Sequence, residues 1–158
     1  KREFSKRINS SLSLNYLWSN NLDNNGKLIN QPPIRIENNL DFKIDSFWKV
    51  DFSEISISPS YTFHQFQAPM TITPENLING TASITSESDI FDFKDAPEGY
   101  FLLDFSWKLN INDFGVSLIV KNLLNQKYRN YLNEMRYFAD ESGRNFIINL
   151  SYNFKKKN

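Results

Sequence analysis

The chain has 158 residues, enough for one domain, and its 18 basic residues are balanced by 18 acidic ones. This balance makes nucleic acid a poor partner, and the lack of cysteine excludes a disulfide framework and thiolate metal ligands. Mean hydropathy is −0.51 and no run approaches the ~20 apolar residues of a membrane-spanning helix, so a helical membrane protein is excluded. Aromatic residues make up 15% of the chain while glycine and proline number 5 and 6, which favours strands.

The chain opens with KREFSKR, which lacks the apolar stretch and the cleavage site of a secretory signal. Nothing at this end predicts export. We therefore expect either a protein that stays inside the cell or an interior piece of a longer one.

Six segments alternate apolar and polar side chains, and this period of two predicts strands with one apolar and one polar face. They lie at about 6–18, 34–45, 50–66, 99–111, 114–124 and 143–154. The last is the most regular, with Ile148 and Leu150 facing away from Asn149. In the third segment the phase changes after Phe52, which predicts a β-bulge near Ser53 and Glu54.

The connections between these segments alternate in length. Long ones are predicted at about 19–33, 67–98 and 125–142, whereas DSFWK and NIND join the other neighbours. All long connections then lie at one end of the sheet, as in outer-membrane barrels, where short turns face the periplasm and long loops face outward. Apolar ladders of about ten residues also match the roughly 25 Å apolar band of such a barrel.

Aromatic residues of the predicted strands collect at both ends of the sheet, as the interfacial girdles of a membrane barrel do. The short-turn end would hold Phe47, Trp48, Trp107, Phe114, Tyr152 and Phe154, and the long-loop end Tyr16, Trp18, Tyr61, Phe63, Phe101 and Phe146. Aromatics also flank the strands of ordinary β domains, so the girdles are weaker evidence than the sorting of the loops.

Six strands cannot form a complete membrane barrel, because bacterial barrels start at eight. An open sheet in hydrocarbon would leave two unpaired edges at a cost of tens of kcal/mol, more than a domain stability of about 5–15 kcal/mol could offset. We therefore expect further strands, upstream or in another chain. Two alternatives stay open: a soluble lipocalin-like carrier with its apolar faces turned inward, and a secreted adhesin or sugar-binding sandwich.

Several motifs point to a family. NLLNQKY (Asn122 to Tyr128), the following RNYL and the closing GRNFIINLSYNF, with QPPIR and APEGYFLLDFSWKL upstream, resemble the C-terminal barrel of TonB-dependent outer-membrane receptors, in particular their siderophore, haem and vitamin branch. The resemblance implies an all-β, antiparallel up-and-down transmembrane β-barrel segment of about six strands. It would complete a barrel of twenty-two strands around an N-terminal plug.

The same resemblance implies a function and partners. The function would be TonB-dependent import of a scarce solute such as an iron chelate, haem or cobalamin across the bacterial outer membrane, with no enzymatic activity and no cofactor. The implied partners are the remaining barrel strands and the plug, the TonB complex through an N-terminal region absent here, outer-membrane lipid and lipopolysaccharide, and the small solute. Tyr152 and Phe154 would belong to the terminal strand that directs barrel assembly.

Three residues are candidate solute contacts. His64 near the outer end of the third strand offers an imidazole, and Arg136 and Arg144 around the last long loop could hold a carboxylate or catecholate. The plainer interpretations are a loop-edge histidine and arginines engaged in turns or with lipid phosphates. No histidine, cysteine and carboxylate cluster at ligand spacing predicts a metal site, and no nucleophile and base arrangement predicts catalysis.

Overall fold

The alternating segments form strands in the computed structural model, which describes residues 2–5, 7–22, 26–45, 49–80 and 91–154. The elements in chain order are β1 Arg2–Ser5, β2 Ile8–Asn15, β3 Arg35–Ile44, β4 Phe52–Thr62, β5 Met70–Thr71, α1 Pro74–Ile78, β6 Phe91–Asp92, β7 Tyr100–Ile111, β8 Phe114–Lys121, a 3₁₀ turn Glu134–Tyr137 and β9 Asn145–Tyr152. No helix in these ranges is long and apolar enough to cross a membrane.

Seven strands form one sheet in the order β1-β2-β3-β4-β7-β8-β9, and every neighbouring pair is antiparallel. Strands that follow one another in the chain are neighbours in this sheet. The exceptions are β5 and β6, which form a separate parallel pair within the connection from β4 to β7. This is the up-and-down arrangement of a barrel wall. The predicted fold class is confirmed, with β1 as an additional short strand.

The apolar side chains share one face of the sheet. One row of directly paired residues crosses six strands, and its members are Ile8, Phe42, Ile55, Trp107, Leu118 and Ile148. A strand of ten residues such as β3 spans roughly 34 Å, or about 24 Å of membrane thickness at a 45° tilt. The apolar face therefore has the height of a hydrocarbon layer.

The opposite face is mainly polar. The row next to the apolar one contains Asn9, Asp41, Ser56 and Ser106 on four successive strands. Charges on this face are matched locally, because Lys121 Nζ lies 2.8 Å from Asp104 Oδ2 and Lys108 Nζ lies 3.6 Å from Glu54 Oε1.

Burial is inverted relative to a water-soluble domain. The apolar side chains of β9 are open, with Ile148 67% and Leu150 76% exposed, while in the part of the chain that the structure describes more polar than apolar residues are buried. Leu118, beside Ile148 on β8, is half-buried in the sheet surface. A soluble domain would have turned this face into a core.

The predicted bulge in β4 is wrong. Pairing of β4 with β7 runs without a shift through Ser53 and Glu54, so no residue is inserted there. The outward position that the sequence pattern expected to be apolar is occupied by Ser53, which is only 1% exposed and accepts a 3.1 Å hydrogen bond from the Trp107 indole. Phe52 lies on the opposite, polar face of the sheet.

Pro59 lies within β4, a strand that has neighbours on both sides. Pairing between β3 and β4 passes from Glu37 and Ser60 directly to Leu40 and Ile57, and so skips the position opposite the proline. A proline has no amide proton to donate to a ladder. The wall therefore contains a local gap in its hydrogen bonding.

The connections at the two ends of the sheet differ in length. Residues 16–34, 63–99 and 122–144 link strands at one end, whereas Asn112 and Asp113 alone join β7 to β8 at the other. Asn112 has a φ of +51°, the left-handed conformation that two-residue hairpin turns favour. Phe47 and Trp48, predicted for the short-turn end, lie outside the described residues.

Candidate functional site

The long connections meet in one layer, here called the loop cap and defined as residues 16–22, 26–34, 63–80, 91–99 and 122–144. Its centre is the parallel pairing of β5 with β6, continued by a 2.8 Å hydrogen bond from the Ile72 amide to the Asp92 carbonyl. Ile72 is 1% exposed and anchors the second long connection. The short helix α1 follows, and Thr73 caps its first turn.

A buried ion pair joins the second and third long connections. Arg136 Nη2 lies 2.5 Å from Asp92 Oδ2 and also donates to the Tyr137 hydroxyl, which in turn donates to Asp92 Oδ1 at 2.6 Å. The guanidinium also lies over the Tyr131 ring at 4.6 Å. We call Asp92, Tyr131, Arg136 and Tyr137 the clasp.

The clasp shifts the ionisation of its members. Burial opposes ionisation of Asp92, but hydrogen bonds from Tyr137 and Arg136, together with the arginine charge, outweigh it and hold the pKa of Asp92 below its usual value. Burial and donation to the Asp92 carboxylate raise the pKa of Tyr137 to about 12. The clasp is therefore an ionised carboxylate held by an arginine and a neutral tyrosine.

Two glutamines tie the first long connection to the second. Gln65 donates from Nε2 to the Gln31 carbonyl at 2.7 Å, and Gln67 donates from Nε2 to the Leu17 carbonyl at 3.1 Å. Both glutamines are buried. Lys27 adds a third contact, to the Phe66 carbonyl at 2.9 Å.

The NLLNQKY motif forms the turn that leaves β8. Asn122 and Asn125 both have positive φ, and the Asn122 side chain exchanges two 2.9 Å hydrogen bonds with the backbone of Gln126. Asn125 accepts a hydrogen bond from the Arg144 amide, which fixes the start of β9. Tyr128 ends the motif with its ring 4.4 Å from that of Tyr100. The motif therefore has a structural role in the cap.

The three predicted solute contacts lie in different environments. His64 is exposed and its Nδ1 lies 3.0 Å from the Pro97 carbonyl oxygen. Arg136 is 3% exposed within the clasp, so its guanidinium does not face solvent as a surface anion contact would. Arg144 is exposed. Within the described ranges, no hydrogen bond or ion pair joins His64 to either arginine.

Tyr152 and Phe154 lie at the short-turn end, away from the cap. Tyr152 contacts the Phe114 ring at 4.6 Å and the Phe154 ring edge to face at 4.6 Å. At the long-loop end, Tyr61 and Phe63 form a similar edge-to-face pair at 4.8 Å. Aromatic clusters therefore occur at both ends of the wall.

The sequence did not reveal two hollows that flank residues 95–99. The first, of about 360 Å³, has His64, Asp95 and Glu98 among its lining residues. The second, of about 320 Å³, is lined in part by Glu98 and Lys127. A separate hollow of about 380 Å³ lies on the polar face of the sheet. Among the described residues, no group of three or more histidine, cysteine, aspartate or glutamate side chains could hold a metal ion.

Gly99 allows residues 95–99 to lie against the end of β4. A Cβ atom at this position would come within 3.0 Å of the Thr62 carbonyl oxygen and 3.2 Å of the His64 amide nitrogen. We expect Gly99→Ala to destabilise the cap by about 1–3 kcal/mol, because backbone atoms cannot move aside cheaply. Faster protease cleavage within residues 91–99 would report it.

The control for this substitution is Gly80→Ala. An added Cβ at Gly80 meets nothing within 4 Å, although its φ of +64° makes alanine strained there. Gly80→Ala should leave cleavage within residues 91–99 unchanged. If both variants were cleaved like the parent protein, close packing at Gly99 would not be what positions this segment.

The sheet and its cap define a segment of an up-and-down transmembrane-type β-barrel, with an apolar outer face and looped rim. Among solved structures the chain is similar to the copper transporter OprC, with a TM-score of 0.73 and 16% sequence identity over 96% of this chain and 21% of that one. The chain thus spans about a fifth of the length of OprC, and at this identity the likeness is one of fold. No protein-family model and no curated protein matches the sequence.

Proposed function

We propose that this chain forms part of the wall and outer loops of a TonB-dependent importer in the bacterial outer membrane. The observation that carries the proposal is the apolar row that crosses six strands, in which Ile8, Trp107 and Ile148 are exposed and the other members half-buried, with a mainly polar face behind it. Hydrocarbon, unlike water, solvates such a face at little cost, and a water-filled or plugged lumen suits the other. The fold likeness to the transporter OprC supports the same placement.

The proposed partners follow from the edges of the sheet. β1 and β9 each have one neighbour in the sheet, so backbone groups on their outer sides need partners if the wall lies in hydrocarbon. We assign these positions to the remaining strands of a larger barrel, in the same or a separate chain, and the polar face to an N-terminal plug. In this proposal, the N-terminal region that carries the plug also binds TonB.

The proposed solute is small, scarce and metal-bearing. The sequence resemblance favours an iron chelate, haem or cobalamin, and OprC is a copper transporter by name. The sequence resemblance and the likeness to OprC both agree with a metal-bearing solute. The proposed role is transport without catalysis, because the Asp92 carboxylate, Arg136 Nη2 and the Tyr137 hydroxyl are engaged with one another rather than with a reacting group.

The test is uptake by cells that carry the protein as their sole importer for a given solute. We expect the protein in the outer-membrane fraction, and we expect uptake of one of ferric chelate, haem, cobalamin or copper that stops when TonB is deleted. Recovery as a water-soluble monomer would instead support a lipocalin-like carrier. Membrane localisation with uptake that is independent of TonB would refute the coupling.

A further inference from the structure

We propose that the hollow beside His64 binds a positively charged, hydrogen-bond-donating group of the solute. This hollow, which we call the rim hollow, is the 360 Å³ space lined in part by His64, Phe66, Asp95 and Glu98. The inference rests on the proposed function for its biological setting, because it names the solute chemistry that the outer loops would select. Its test measures binding and does not require import.

The charges that line the rim hollow favour a cation. Asp95 and Glu98 are both exposed, and none of the described residues that line the rim hollow is a lysine or arginine. Lys27 lies outside the lining and its Nζ donates to the Phe66 carbonyl at 2.9 Å. In the loop cap, Arg129 is paired with Asp140 at 2.7 Å and Arg136 with Asp92. Two carboxylates without a basic residue in the same lining attract a cation and repel an anion.

The imidazole of His64 is oriented by a hydrogen bond to the backbone. His64 Nδ1 lies 3.0 Å from the Pro97 carbonyl oxygen, which can only accept, so Nδ1 carries the proton. In the neutral ring Nε2 is then an acceptor with a fixed direction, as in sites where a second partner orients a binding histidine. The imidazole adds a third acceptor to the two carboxylates.

The side-chain amide that lines the rim hollow is already engaged elsewhere. Gln65 lines the rim hollow, but its amide nitrogen donates to the Gln31 carbonyl and its amide oxygen accepts from the Gln67 amide. The remaining lining consists of apolar surface from Phe66, Ala68, Pro69 and Ala96, together with Thr71, whose hydroxyl can either donate or accept. The rim hollow therefore combines several acceptors with apolar surface, which suits an amine, ammine or similar donor better than a carboxylate or catecholate.

The position of the rim hollow is fixed by the fold. Gly99 brings residues 95–99 into backbone contact with the end of β4, and His64 follows that strand directly. The clasp holds the same connection just before this segment, through Asp92. The acceptors consequently sit on a braced segment rather than on a free loop, which lowers the ordering cost of binding.

The experiment uses the assembled barrel extracted in detergent, with hexaamminecobalt(III) as the probe. This cation donates hydrogen bonds through its ammine ligands and has no open coordination position, so it reports charge and donation without metal coordination. Equilibrium dialysis at fixed ionic strength should show binding. Glu98→Gln and Asp95→Asn should each weaken it by about ten-fold, the loss expected for one hydrogen bond to a charged group.

The control is Glu134→Gln, which removes an exposed carboxylate elsewhere in the loop cap and should leave binding within about two-fold, because exposed charges at a distance are screened. His64→Phe should also weaken binding, since it removes the oriented acceptor. Thermal unfolding of each variant verifies that the cap is intact. Ferric citrate, an anionic probe, should not compete.

Two results would overturn the inference: absence of probe binding to the parent protein, or equal effects of Glu98→Gln, Asp95→Asn and Glu134→Gln. Failure of the proposed function has a different signature. If the probe bound with the expected variant pattern but the protein imported nothing, the proposed binding at the rim hollow would stand and the proposed transport role would fail. If the protein imported its solute but did not bind the probe, the transport role would stand and the proposed binding at the rim hollow would fail.

Discussion

Ile148→Lys is expected to impair assembly of the barrel by about 2–4 kcal/mol, the cost of a lysine at the middle of a lipid-facing strand. Ile148 is 67% exposed on the apolar face and directly pairs with Leu118 on β8. Its neighbour Asn149 points to the polar face, opposite Ser117. Asn149→Lys should therefore be tolerated, although it adds the same charge to the same strand.

The measurement for this pair is the folded fraction of the assembled barrel in lipid vesicles, with urea unfolding for the free-energy difference. The two substitutions differ by one residue in position, so effects of expression or net charge cancel between them. Equal tolerance at both positions would show that the apolar face does not meet lipid.

Arg136→Met is the second substitution with a large expected effect. It leaves Asp92, 3% exposed, without its cation, and breaking a buried pair by removal of one partner costs about 3–5 kcal/mol. Unfolding of the loop cap, followed by hydrogen exchange at residues 129–141, should show the loss. Adding Asp92→Asn to the same protein should recover part of it, because the buried charge is then gone.

The exposed pair of Arg7 and Asp45 supplies the control. Its side chains are 69% and 67% exposed although the nitrogen and oxygen are only 2.5 Å apart. Arg7→Met should cost about 0–1 kcal/mol, as expected for surface ion pairs. A similar loss for Arg7→Met and Arg136→Met would show that burial of the clasp contributes nothing.

The clasp also predicts a pH dependence. The pKa of Asp92 is lowered in the folded protein, so the carboxylate is stabilised by folding. This stability is fully present above the unfolded pKa of about 3.9 and is lost as the pH falls through the lower folded pKa. The difference between the parent protein and Arg136→Met should consequently shrink in acid.

The strands and faces of this chain could be predicted from the sequence because side-chain alternation is a local property of a strand. The pattern failed at Ser53, where one polar residue occupies an outward position under the Trp107 indole and imitates the phase change of a bulge. Local alternation cannot distinguish these cases, since the covering side chain lies 54 residues away.

The loop cap could not be predicted for a related reason. Its contacts join residues far apart in the chain, such as Gln67 with Leu17 and Asp92 with Arg136, and no periodic pattern marks them. The sequence predicted Arg136 as a contact to the transported solute. The structure places it in an internal contact, and Asp92 was not anticipated.

The ties among the three long connections limit how this protein can diversify. A lineage that lengthens one loop to reach a new molecule must keep the carbonyls of Leu17 and Gln31 within reach of the buried glutamines, and must preserve the approach of Arg136 to Asp92. We therefore expect insertions to be tolerated only where they leave these contacts between the long connections in place.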